Sequence, residues 1–143
     1  PEEFCKQYNV QRAADHAEVI HASDFLSLHC ALTDETRALI NKESIATMKP
    51  GACIINTARG GVIDEAAVVA ACTSGQLAAY ATDVLDIEPM QAPHPFQDVD
   101  NIIVTPHIGS RTNESVGRQA MRAVNNLINY LEGNDDVIQF NSF

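Results

Sequence analysis

The chain has 143 residues, 45% of them hydrophobic and 20% charged, with a formal net charge of −10. That size and composition suit a soluble globular domain with a real core. The acidic balance argues against nucleic acid or an anionic membrane surface as partner, and no apolar run approaches membrane-span length.

Pro1-Glu2-Glu3 opens a helix running to Tyr8, with proline at its first position and acids in its first turn. This opening reads as the middle of something larger. Residues 9–13, NVQRA, read as a short strand, and 15–23 as a short helix. Asp24 precedes a strand, DFLSLHC, over 24–30. TDETRALI (33–40) and NKESIATM (41–48) read as helical turns with Thr33 and Asn41 as N-caps, and Lys49-Pro50-Gly51 stops the second. ACIINTA (52–58) is a near-continuous apolar strand. A helix follows from the Asp64 cap to Gly75. LAAYATDV (77–84) is a further buried run, 85–100 is irregular with three prolines, and NIIVTPH (101–107) is a third apolar strand. The last helix spans Thr112 to Glu132 and stops at Gly133. Val116, Ala120, Val124, Leu127, Ile128 and Leu131 form its apolar stripe.

Strands of continuous apolarity separated by helices indicate a parallel sheet covered on both faces, an α/β doubly wound, Rossmann-type domain. Such sheets bind ligands beyond the carboxyl ends of their strands. The four cysteines, Cys5, Cys30, Cys53 and Cys72, form no C-x-x-C pair. They read as buried free thiols rather than a metal or disulfide set, which fits a reducing cytoplasm.

Past the strand ends stand unlike polar groups: Arg59, Asp83 with Glu88 five residues later, and His107 followed by Gly109 and Ser110. An arginine, a carboxylate and a histidine at one sheet edge suit reduction of a carbonyl next to a carboxylate. A guanidinium clasps a 2-oxo acid's carboxylate with two charge-assisted hydrogen bonds and stabilises charge developing on the carbonyl oxygen. Histidine can pass the proton, and a glutamate on its far ring nitrogen would favour the imidazolium. Gly60 and Gly61 would let the backbone turn sharply and leave room for a flat ring. His16, His21, His29 and His94 read as structural or solvated.

SDFLSLHCALTDETRALIN, MKPGACIINTARGGVIDEAAV, GQLAAYATDVLDIEP and NIIVTPHIGSRT resemble successive signatures of the NAD-dependent D-2-hydroxyacid dehydrogenases. That family includes phosphoglycerate dehydrogenase and glyoxylate/hydroxypyruvate reductase. The likeness runs in order from Asp24 to Gly133. It implies that Arg59 is the substrate-binding catalytic arginine, Glu88 the glutamate supporting the histidine, and His107 the acid/base. It implies that Asp83 holds the nicotinamide amide. Cys30, Thr57, Ala58, Arg59, His107, Gly109 and Ser110 fall where the family touches the cofactor. NAD is the implied cofactor, with NADP open, a small 2-oxo or 2-hydroxy acid the substrate, and a homodimer the expected assembly. No metal, nucleic acid or membrane is called for.

The family's G-x-G-x-x-G phosphate loop has no counterpart in the chain. The resemblance therefore implies the later portion of the cofactor domain over 1–111, then a helix and tail over 112–143 returning toward a mostly absent substrate domain. The expected sheet is incomplete, lacking the first half of the domain, and the fragment alone is expected to be inactive. The competing reading is an NAD(H)-sensing, corepressor-like protein-binding module of the same family.

Overall fold

The computed structural model describes residues 2–138, so Pro1 and the end of the expected tail, 139–143, lie outside the described residues. The chain divides after Pro106 into two compact units.

The first unit runs α1 (Glu2–Tyr8), α2 (His16–Ala22), β1 (Phe25–Leu28), α3 (Lys42–Thr47), β2 (Ala52–Asn56), a 3-10 turn (Gly60–Val62), α4 (Glu65–Ser74), β3 (Leu77–Thr82) and β4 (Ile102–Val104). All four strands are parallel and lie in the order β1-β2-β3-β4. The α/β, Rossmann-type reading therefore holds. The register aligns Leu28 with Asn56, Asn56 with Thr82, and Thr82 with Val104. The carboxyl ends thus form one row, and whatever follows each strand emerges along it.

Local chemistry sets the helix ends where the sequence places them. Asp15 accepts from Glu18 N–H and Asp64 from Ala67 N–H, each filling an orphan donor of a first turn. Asn41 and Ser44 form a reciprocal capping box at the start of α3. Gly75 ends α4 in the left-handed conformation at φ 79°.

The core lies between the sheet and one layer of helices. Leu26, Leu28, Ile54, Leu77 and Tyr80 pack with Ile20 of α2, Ile45 of α3, and Val68, Ala71 and Cys72 of α4. Helix α2 contacts α3, and α3 contacts α4. Within the first unit, among the described residues, the helices cover one face of the sheet rather than the expected two. The strands bury alternate residues, while Phe25 is 76% and Ile103 62% exposed on the opposite side. Strands laid down in one direction, with crossovers of one hand, set their helices on a single face.

Two further expectations are corrected. Residues 10–13 form no strand: Asn9 turns the chain at φ 51° and Val10 stays exposed, without a ladder partner among the described residues. TDETRALI makes one turn and no helix. The buried Thr36 hydroxyl, rather than Thr33, caps that turn by accepting Thr33 N–H at 2.8 Å. Ala38 then takes φ 48°, and the chain runs extended beside 61–64, with Ala38 N–H donating to Gly61 O and Ile40 N–H to Val62 O.

The second unit holds α5 (Asn113–Glu132), capped by Thr112 and ended by Gly133 at φ 73°. Residues 134–138 fold back on it. Arg122 makes two bonds to Asp136, at 3.0 and 3.2 Å, and Asn126 exchanges two bonds with the Ile138 backbone. The apolar stripe forms as expected, and Val116, Val124, Leu127, Ile128 and Leu131 on it are exposed.

Candidate active site

The row of strand ends opens onto a cleft of about 540 Å³ lined by His29, Cys30, Ala31, Leu32, Thr57, Ala58 and Arg59. It lies past the adjacent strands β1 and β2. Four of the sequence-derived candidates, Cys30, Thr57, Ala58 and Arg59, therefore share one wall-to-wall space. Cys30 is half-buried, Ala58 buried, and Thr57 and Arg59 exposed to the cleft and solvent.

Arg59 is held by a turn built from the core outward. Asn56, 0% exposed, is the last residue of β2. Its Oδ1 accepts Ala58 N–H at 3.0 Å, and its Nδ2 donates to Arg59 O at 3.1 Å and to Tyr80 Oη at 3.4 Å. Arg59 Nη1 donates to Ala58 O at 2.6 Å. Among the described residues Arg59 forms no ion pair, so its charge is not committed to a protein carboxylate. That leaves a cation able to receive an anionic ligand.

Asp83 sits one strand further along, buried past β3. Its N–H donates to Asn56 O at 3.0 Å, and its Oδ1 accepts the Thr105 hydroxyl. Thr105 is itself fixed to β3 through N–H to Thr82 O at 2.9 Å. Glu88 lies exposed in the loop after Asp83, where its Oε1 accepts Leu85 N–H at 2.9 Å. His107, Gly109 and Ser110 belong to the second unit. His107 takes φ 54°, and Ser110 O accepts the Ser115 hydroxyl and Gln119 Nε2.

Gly60 and Gly61 open the 3-10 turn, as expected of a sharp bend after Arg59, but Gly60 leaves no room for a ring. A methyl group on Gly60 would lie 2.0 Å from the Leu85 carbonyl carbon and 2.2 Å from Asp86 N. The space is taken by the backbone of the Glu88 loop, not kept free for a ring. Gly60 and Gly61 are both buried.

Residues 1–109 match the D-isomer specific 2-hydroxyacid dehydrogenase, NAD binding domain. The chain belongs to that family. A glyoxylate reductase of Aeropyrum pernix is 40% identical over 116 residues, which are 81% of this chain and 35% of that protein. A D-isomer specific 2-hydroxyacid dehydrogenase of Xanthobacter autotrophicus, solved in complex with NADPH, superposes with a TM-score of 0.73 at 36% identity, covering 85% of this chain and 49% of that one. The holo form of Rhodotorula graminis D-mandelate dehydrogenase superposes at 0.89 and 29% identity over 100% of this chain and 42% of that one. The chain spans less than half the length of each.

In this D-2-hydroxyacid dehydrogenase domain, the polar groups under the cleft escape a reading by motif. Asn56 stands in an otherwise apolar strand, and a polar residue at such a place is the one available signal of a buried network. Burial raises the Tyr80 hydroxyl's pKa, opposed by the nearby Thr82 and Asn56 side chains. Tyr80 thus stays a neutral phenol that receives the Asn56 amide. All four cysteines are free, but only Cys72 is buried; Cys5 in α1, Cys30 after β1 and Cys53 in β2 are half-exposed.

Proposed function

We propose that this chain is part of an oxidoreductase that transfers hydride between a nicotinamide cofactor and a small 2-oxo or 2-hydroxy acid. The observation that carries the reading is Arg59, in no ion pair among the described residues, at the cleft shared with Cys30, Thr57 and Ala58. The cleft suits part of a dinucleotide: Leu32 and Ala58 offer apolar wall, and Thr57 and the backbone around it offer polar contacts.

Cys30, Thr57, Ala58, Asp83, Gly109 and Ser110 would hold the cofactor, with NAD the family's ligand and NADP compatible with the Xanthobacter relative. When bound, the nicotinamide supplies or accepts the hydride. Arg59 binds the substrate carboxylate bidentately and stabilises negative charge on the carbonyl oxygen. His107 gives that oxygen its proton and takes it back in the reverse direction. The family resemblance gives Glu88 the part of supporting that imidazole. Asp83, steadied by Thr105, would receive the nicotinamide amide. The free cysteines fit a cytoplasmic location, and the family resemblance supports a homodimer.

The test is steady-state reduction of glyoxylate, hydroxypyruvate and pyruvate by the protein that carries this chain. Arg59→Ala is expected to lower kcat/KM by about 10² to 10⁴. Wild-type kcat/KM in that variant would remove the assignment.

A further inference from the structure

We propose that Glu65 and His94 are positioning residues that hold the loop carrying Glu88; the proposal rests on the role given to Glu88 above. Glu65 is the first residue of α4, where the helix N-terminus favours a carboxylate. Its Oε1 accepts Asp86 N–H at 3.2 Å, and its Oε2 lies 3.5 Å from His94 Nε2. One carboxylate therefore grips the irregular loop on both sides of Glu88.

His94 is itself fixed. Its Nδ1 accepts Phe96 N–H at 3.3 Å, so the ring hydrogen sits on Nε2, toward Glu65. Its ring packs edge-on against Phe96 with centroids 4.8 Å apart, and Phe96 packs in the same way at 5.6 Å on the fully buried Tyr80. A chain of contacts thus leads from the core through Phe96 and His94 to Glu65, and then to Asp86.

From Asp86 the constraint reaches Glu88 in one step. Glu88 Oε1 is bound by the N–H of Leu85, the residue before Asp86. Gly60 lies close against the same Leu85–Asp86 peptide. The peptide is thus held both by the Arg59 turn and by the Glu65 carboxylate. A shift there moves the Glu88 carboxylate without touching cofactor or substrate.

The experiment uses the protein that carries this chain, with 2-oxo acid reduction and hydrogen exchange as readouts. His94→Asn keeps an acceptor for Phe96 N–H but cannot reach Glu65; His94→Gln restores the reach. Glu65→Ala removes both grips. We expect Glu65→Ala and His94→Asn to lower kcat about tenfold with the cofactor KM little changed, and His94→Gln to recover most of the loss. Glu65→Ala on a Glu88→Gln background should add less than about twofold, because coupled residues are non-additive. Amides of 85–90 should exchange faster in His94→Asn while those of α4 keep their protection, a result that stands even if Glu65→Ala fails to fold. Wild-type kcat in His94→Asn and Glu65→Ala beside a slow Glu88→Gln would overturn the positioning role, as would equal losses on both backgrounds or unchanged exchange of 85–90. Wild-type kcat in Glu88→Gln would instead remove the role given to Glu88, and the positioning role with it.

Discussion

The Asn56 amide, wholly buried at the end of β2, receives Ala58 N–H and donates to Arg59 O, so a core side chain shapes the turn that presents the guanidinium. Asn56→Leu keeps the branched outline of the side chain and removes these two bonds together with the one to Tyr80 Oη. Arg59 O retains Val62 N–H at 3.2 Å, but Ala58 N–H loses its acceptor in a buried place. The expected cost is about 1–3 kcal/mol, read as a lower denaturant midpoint at constant slope. The KM for the 2-oxo acid should rise, because Arg59 is no longer held. A midpoint equal to wild type would show that the turn does not depend on this amide.

Two glycines should respond in opposite directions to the same substitution. Gly60→Ala drives a methyl group into the Leu85–Asp86 backbone, which cannot swing away like a side-chain tip. It should cost about 1–3 kcal/mol or more and slow turnover through the displaced Glu88 loop. Gly117→Ala lies inside α5 with nothing within 4 Å of the added carbon. It should raise helix stability by about 0.5–1 kcal/mol. Urea unfolding of both variants makes the comparison; a neutral Gly60→Ala would contradict the close approach.

The difference between these glycines marks what the sequence discloses. Features decided within a few residues were readable: the Asn41 and Asp64 caps, the Gly75 and Gly133 stops, and the strand runs that became β1 to β4. The cluster of Cys30, Thr57, Ala58 and Arg59 was readable too, because parallel strands deliver whatever follows them to one edge. Contacts between distant segments were not. Nothing near Gly60 announces that Leu85 and Asp86 will lie against it, and nothing near Glu65 announces His94. Apolar runs could not report which faces are covered either, since Phe25 and Leu26 are equally apolar and only Leu26 is buried.

Burial raises the Cys72 thiol's pKa from 9.0 to about 11, with Cys53 adding to the effect. Cys72 should therefore resist iodoacetamide in the native protein at mildly alkaline pH, where the half-exposed Cys5, Cys30 and Cys53 react first. The sign for stability follows. The unfolded thiol ionises near 9.0 and the folded one near 11, so the folded state binds the proton more tightly. Its contribution is complete below the unfolded value and is lost as pH rises toward the folded one. Mass-resolved alkylation checks the order; early labelling of Cys72 would place that thiol at the surface.

The Arg122–Asp136 pair ties residues 134–138 to α5, and its pH response has the opposite sign. Hydrogen bonds from the guanidinium, then its charge, lower the Asp136 pKa from 3.8. The folded carboxylate is the weaker proton binder, so the pair's contribution is present above 3.8 and is lost as pH falls through the lowered folded value. The pair is exposed, so the effect should be local and weakened by salt. The Ile138 N–H, bonded to Asn126 Oδ1 at 2.6 Å, is the reporter. Its exchange protection should fall on strong acidification in the native protein, and Arg122→Met should show that loss already at neutral pH. If Arg122→Met protects Ile138 as well as wild type does, the turn is held by the Asn126 amide and by the Asn129 amide, which donates to Asp136 O at 2.9 Å.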